Sequence, residues 1–314
     1  MVLGLTSCSL TGGSPWSWTG PKLVSGSVRL NAIDCATPKG CVALAENGES
    51  VRLDGSTWSR PVSVEHVGTS DGPDALACVS TSWCRAIDGL GRVLAYDGRR
   101  WGAPVNVEPA STGGTLSAIS CASVTFCAVG DSNGDAAIYN GQRWSKLTPV
   151  ADSSGVAGLS CPSVGVCFAI DAESSEVFRY GHGRWSVSAD LNISTPQGGS
   201  EPNSLEAISC GSRNFCVVLD GFGEAFTYDG KWSSSPQNFD DIEDEGAELS
   251  CTASLTCVAV DDSDDVVVDQ AGAWSAPRHL GRSSATLNDV SCAPRSRCVV
   301  IDDKGGFFVG HPAR

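Results

Sequence analysis

The sequence predicts an all-β fold, a single seven-bladed β-propeller of four-stranded antiparallel blades with one disulfide in each blade. Three observations predict it. A repeat of roughly 43 residues runs along the 314-residue chain. Each copy carries a Cys-x5-Cys pair. The tryptophan strand that the last copy lacks is found at the N-terminus.

The repeat reads Leu-x-Ala-Ile-Ser-Cys-x5-Cys-Val-Ala-Val-Asp-x-x-Gly, then an apolar run, then Tyr-Asp-Gly-x-x-Trp-Ser-x-Pro. Its tryptophans are Trp18, Trp58, Trp101, Trp144, Trp185, Trp232 and Trp274. Short apolar runs bounded by turn residues divide each copy into four strands. Strand A ends at the first cysteine, as in 116–121, and strand B starts at the second, as in 127–131. Strand C ends in a turn, as in 93–96, and strand D starts at the tryptophan, as in 101–107. The segment Trp18-Thr-Gly-Pro21 matches Trp58-Ser-Arg-Pro61 and Trp101-Gly-Ala-Pro104. The last blade is therefore expected to take strand D from the N-terminus and strands A to C from 287–309. Such closure hides the edges that an open sheet would expose. Residues 16–314 are expected to form the propeller, and residues 1–15 to be a truncated leader and tether.

Fourteen of the fifteen cysteines fall into local pairs. Cys35 is expected to bond Cys41, Cys78 to bond Cys84, Cys121 to bond Cys127, and Cys161 to bond Cys167. Cys210 is expected to bond Cys216, Cys251 to bond Cys257, and Cys292 to bond Cys298. A five-residue loop between antiparallel strands brings the flanking Cα atoms to about 4.5–5.5 Å, within reach of a disulfide. Zinc is the weaker alternative, because its sites favour Cys-x2-Cys pairs or interspersed histidine, and the chain has 4 histidines. Regular pairing with one cysteine left over reads as an exported protein of an oxidising compartment.

The net charge of −15 argues against nucleic acid as a partner. No run of 18 apolar residues spans a membrane. Arginine outnumbers lysine 16 to 5, a bias of GC-rich genomes that suggests an actinobacterial source. A monomer is expected.

The turns between strands C and D, such as Tyr96-Asp97-Gly98-Arg99-Arg100-Trp101, carry the Asp-Gly of a tight hairpin. They resemble a degenerate Asp-box of the sialidase-like (BNR) and Ycf48-like propellers. The turns at 180–185 and 270–274 lack the aspartate, and the turn at 139–144 carries Asn140 in its place. This resemblance implies blade geometry and says little of activity. The sialidase-like enzymes use an arginine triad, a tyrosine nucleophile with a glutamate, and an aspartate acid/base; no Arg-Ile-Pro motif or comparable set stands here. The leftover Cys8 follows Leu5-Thr6-Ser7, which resembles a bacterial lipobox, so lipidation of Cys8 is the expectation. Only seven residues precede it, without a basic region or a full apolar stretch. The alternative is a free thiol in a tail.

Function is sought where the repeats differ. The spacing from the second cysteine to the next tryptophan is 17, 17, 17, 18, 16 and 17; from tryptophan to the next cysteine it is 17, 20, 20, 17, 25, 19 and 18. Variation thus sits in the D-to-A connections. These share one face of the disc with the B-to-C turns, the expected recognition face. That face is acidic. The fourth residue after the second cysteine is Asp88, Asp131, Asp171, Asp220, Asp261 and Asp302, with Ala45 the exception. These six, with His66 and His279 on connections of the same face, are the ligand-binding candidates. The aspartates also suit the start of an Asp-x-x-Gly turn, where a carboxylate accepts a backbone N–H. Asp240, Asp241, Glu243, Asp244 and Glu245 crowd one connection; calcium is a candidate there, against a solvated charge run. The other face carries Lys39, Arg99, Arg100, Arg143, Arg184, Arg213, Lys231, Arg295 and Arg297, suited to an anionic membrane beside a lipid anchor.

No catalytic residue is assigned and no cofactor beyond calcium. The preferred function is an extracellular, lipid-anchored binding or scaffold protein that recognises a protein or glycan with its acidic face. A carbohydrate-active enzyme at the propeller centre and a ligand-sensing propeller are the alternatives.

Overall fold

A computed structural model describes residues 16–24, 29–64, 72–108, 113–191, 204–239, 246–281, 285–294 and 297–313. It is all-β, with seven antiparallel sheets arranged as blades. Strand A is innermost in each: Leu30–Thr37, Pro73–Ser80, Leu116–Ser123, Val156–Ser163, Leu205–Ser212, Glu248–Thr252 and Leu287–Ala293. These strands follow one another around the axis, the last lying against the first.

Strand B explains the apolar run after the second cysteine. Phe126–Asp131, Val166–Asp171 and Phe215–Asp220 are buried along their whole length. Neighbouring blades cover both faces of such a strand, so alternation with polar residues disappears. The cores accordingly lie between blades. Val42 and Leu44 of the first blade pack with Ala86, Leu94 and Trp101 of the second. Phe168 and Ile170 of the fourth pack with Val218, Phe226 and Trp232 of the fifth. No blade buries its own faces alone, which makes the ring the unit of stability.

Closure is as expected. Trp16–Leu23 pairs with Gly306–Pro312, completing the sheet of Leu287–Ala293 and Arg297–Asp302. Trp18 sits opposite Gly310. A Cβ at Gly310 would lie 2.7 Å from the Trp18 ring, so the close approach requires glycine.

All seven expected disulfides are formed, one per blade. Cys35 bonds Cys41, Cys78 bonds Cys84, Cys121 bonds Cys127, and Cys161 bonds Cys167. Cys210 bonds Cys216, Cys251 bonds Cys257, and Cys292 bonds Cys298.

Two details of these turns are corrected. Strand A runs past its cysteine, as far as Ser123 in the third blade, and turns back at Phe126. The paired cysteines therefore face each other across the ladder, as Cys121 faces Cys127 and Cys210 faces Cys216. Their Cα atoms are 3.9–4.0 Å apart in every blade, rather than at the wider separation expected of an open loop.

Strand D is broken in most blades. In the third, Trp144 bridges Tyr139, and pairing resumes only at Thr148–Pro149. The Trp-Ser dipeptide makes the pinch. Ser145 donates its N–H to Ile138 O at 2.8 Å, and its Oγ accepts Ile138 N–H at 3.0 Å. Ser233 and Ser275 bond in the same way to Thr227 and Val268. A side-chain oxygen thus replaces the next ladder rung. Proline beyond it, as at Pro61 and Pro104, has no N–H to continue the ladder. The fourth blade keeps a continuous strand D, Arg184–Asp190.

Candidate functional site

The six ring aspartates sit at or beside the ends of their B strands and are turned inward. None of Asp88, Asp131, Asp171, Asp220, Asp261 and Asp302 is more than 5% exposed. Asp88 Oδ1 accepts the N–H groups of Leu90 and Arg92 at 3.1 and 3.0 Å. Asp131, Asp220 and Asp302 hold their turns in the same way. The turn closes through a left-handed glycine, Gly134 at φ 82° in the third blade. In the first blade, where Ala45 stands, Asn47 Oδ1 takes the role and accepts Glu49 N–H at 3.2 Å. These buried carboxylates act in the turn-capping role that the Asp-x-x-Gly pattern allowed, and Asp171 also accepts bonds from Ser153 and Ser154 of the preceding connection.

Burial, then a hydrogen bond to Glu108, raises Asp131 to about 6. Burial also pulls Asp171 up, but the Glu173 N–H and the Ser153 and Ser154 groups outweigh it and hold it at about 2. His279 lies apart on outer strand Arg278–His279, exposed, with Nδ1 3.3 Å from Asp265. Cys8, His66, Asp240, Asp241, Glu243, Asp244 and Glu245 lie outside the described residues. Among the described residues, no group of three or more His, Cys, Asp or Glu is placed to hold a metal ion.

The axis carries an arrangement that the repeat consensus does not announce. The serine before the first cysteine ties each blade to the next. Ser120, Ser160, Ser209, Ser250 and Ser291 each accept the N–H of the following blade's first cysteine at 2.9–3.0 Å. In the first blade Asp34 replaces serine, and Asp34 Oδ2 accepts Cys78 N–H at 2.6 Å. In the second blade Ala77 has no oxygen to offer.

Further carboxylates join Asp34 on the same inner strands. Asp289 Oδ2 accepts Ile33 N–H at 2.7 Å. Glu206 Oε2 accepts Gly246 and Ala247 N–H at 3.1 and 3.0 Å. Burial raises Asp34 to about 6 against the opposing Cys78 N–H. It raises Asp289 well above the carboxylate range, with Glu248 and Asp34 adding repulsion. Glu248 is raised to about 7, by desolvation first and Glu206 second. Glu248 itself is exposed, so close packing on its side chain is not the cause. The inner strands on either side, Leu205–Ser212 and Leu287–Ala293, crowd it and bring Glu206 near.

A signal for this cluster was present in the sequence. Three residues before the first cysteine stand Ala32, Ala75, Ala118, Gly158 and Ala207, then Glu248 and Asp289. Two acids at a position otherwise kept small mark the side of the channel between the sixth and first blades.

The basic face needs one correction. Arg297 lies within strand B of the seventh blade, not free in a turn. Its Nη1 and Nη2 donate to Pro38 O and Gly55 O at 2.7 and 2.8 Å, clamping the seventh blade to the first. Lys39, Arg99, Arg100, Arg143, Arg184, Arg213 and Lys231 are exposed. Arg295 lies outside the described residues.

No protein-family model and no curated protein sequence matches this chain. Solved structures match its fold. YCF48 bound to D1 peptide aligns over 96% of this chain and 98% of its own, at 11% identity and TM-score 0.68. YCF48 from Cyanidioschyzon merolae aligns over 96% and 100%, at 14% identity and TM-score 0.70. A streptogramin B lyase aligns over 94% and 97%, at 8% identity and TM-score 0.77. At these identities the likeness is one of fold: the chain is a seven-bladed β-propeller with Ycf48-like and streptogramin-lyase structural neighbours.

Proposed function

We propose that the chain is a non-enzymatic binding or scaffold protein of an oxidising, extracytoplasmic compartment, anchored through lipidated Cys8, with its acidic connection face turned to a protein or glycan. The observation that carries this reading is the use made of the axial acids. Asp34, Asp289 and Glu206 accept backbone N–H groups of the next blade, so they brace a rigid ring instead of facing a substrate. The seven disulfides stiffen the same ring and belong outside a reducing cytosol. Length variation in the D-to-A connections then supplies recognition on a fixed frame. One fold neighbour is a protein bound to a peptide, which is in keeping with a protein partner.

The test is cross-linking and glycan-array binding with the full chain, alongside a variant with Asp240, Asp241, Glu243, Asp244 and Glu245 changed to the amides. A partner captured by the wild type and lost by the variant is the expected result; undiminished capture would remove the acidic face from the proposal. Chelation of calcium in the same assay decides whether that cluster acts through a cation. Mass spectrometry of the membrane fraction is expected to find a diacylated Cys8. Charge reversal at Lys39, Arg99, Arg100 and Arg213 is expected to weaken binding to anionic vesicles.

A second reading, an acid/base enzyme at the axis, draws on Glu248, whose proton is held to about pH 7. All four tyrosines lie on the C strands, away from the axis. Turnover of a glycan substrate that disappears in Glu248→Gln would establish this reading over the first.

A further inference from the structure

Blades 2 and 3 enclose a groove on the rim of the disc, about 810 Å³ in volume. Val93, Ala95 and Val107 of the second blade face Tyr139, Trp144 and Leu147 of the third across it. Arg85, Arg143 and Lys146 bring three cations to it, with Asp135 the one carboxylate among its lining residues. No ion pair is formed by Arg85, Arg143 or Lys146 among the described residues.

Arg85 is the departure from the repeat at this junction. The residue after the second cysteine faces the next blade's core and is Val42, Ala128, Phe168, Val217, Val258 or Val299 elsewhere, each fully buried. Between blades 4 and 5, Phe168 fills this space, 5.1 Å from the Tyr228 ring and 6.1 Å from Trp232. The cavity at that junction is about 420 Å³. At the second blade a guanidinium stands there instead. It lies 4.0 Å over Trp83 and 5.5 Å from Tyr139, and Nη1 donates to Cys84 O at 3.0 Å. The cation is thus held in place, half-buried between two aromatic rings, with donors left over. The same junction is the one where Ala77 omits the axial serine tie.

We propose that this groove binds an organic acid, a carboxylate carried on an apolar or aromatic body. Arg85, pre-positioned by its rings and carbonyl, meets the carboxylate with charge-assisted bonds. Trp144, Tyr139 and the facing valines take the body. The volume suits a small ligand or one terminal residue of a peptide. In a chain of net charge −15, three unpaired cations in one groove select against the cationic ligands that the rest of the surface attracts. The groove is on the rim and not in the connections, so it stands or falls separately from the acidic face.

The experiment is calorimetric titration of the full, oxidised chain with N-acetylphenylalanine, its amide, and a hexapeptide ending in phenylalanine. The acid is expected to bind at least about tenfold more tightly than the amide. Raising salt from about 0.05 to about 0.5 M is expected to weaken the acid alone. Arg85→Gln is expected to lose about tenfold, as is the paired variant Arg143→Ala with Lys146→Ala, whose sites are exposed and safe for folding. Lys231→Ala, at the cavity between blades 4 and 5, is the control and is expected to change nothing. Tighter binding of the hexapeptide assigns a peptide carboxyl terminus; equal binding assigns a free acid. Equal affinity for acid and amide, no binding of either at millimolar concentration, or full affinity in both cation variants would overturn the proposal.

Discussion

At the residue scale, the Ile-Ser-Cys of the repeat is an inter-blade tie. Removing the serine oxygen leaves a half-buried cysteine N–H without its acceptor, at a cost of about 1 kcal/mol. Ser160→Ala is expected to show that loss in denaturant unfolding, and Ala77→Ser to gain about 0.5–1.5 kcal/mol by supplying the missing tie. The axial acids give stability a pH dependence. Asp34 and Glu248 are raised to about 6 and about 7, and Asp289 is raised with them. Acids whose pKa rises on folding stabilise the fold while protonated, and that contribution is lost as pH climbs through the folded values. The melting temperature is therefore expected to fall between about pH 4 and 7 as pH rises. Asp171, held at about 2, acts oppositely but only under stronger acid. Glu248→Gln should flatten the profile and melt higher than wild type at pH 8; an unchanged slope would take Glu248 out of the account.

At the element scale, the disulfide joins strands A and B across a tight turn. The second cysteine of each pair, Cys41, Cys84, Cys127, Cys167, Cys216, Cys257 or Cys298, is almost fully buried. Each therefore packs as core while its bond closes the turn. Closing so short a loop stabilises each blade by about 2 kcal/mol. Replacing Cys161 and Cys167 together by alanine should cost about that much in chemical denaturation without changing the ring. The cysteines, B strands and turns were legible in the sequence because each is a local pattern repeated seven times. The interruption of strand D was not. Trp-Ser-x-Pro reads as a strand start, and only the double bond of a residue such as Ser145 to Ile138 shows where the ladder stops.

At the scale of the whole molecule, the seam between the seventh and first blades is where ring closure is held. The strand Trp16–Leu23, the Arg297 clamp and Asp289 all act there. Arg297→Ala forfeits two charge-assisted bonds to carbonyls, and we expect a loss of about 1.5–3 kcal/mol. Deleting residues before Val24 exposes the edge of Gly306–Pro312, an unpaired strand flanked by apolar surface. Light scattering of that truncation is expected to show more self-association than the full chain does at the same concentration.

The number of blades, the cysteine pairing and the N-terminal closure were all written in the chain, because repetition turns each local rule into seven agreeing observations. What the exceptions do emerged only from the folded ring. The ring aspartates turn inward because four-residue turns need an acceptor. Asp34, Glu248 and Asp289, 255 residues apart at the extremes by their numbering, meet because the ring brings its last blade against its first. Arg85 becomes the wall of a groove because the next blade's aromatic strand is laid across it. A repeat states what each blade shares; which exceptions become neighbours is fixed only when the blades close around one axis.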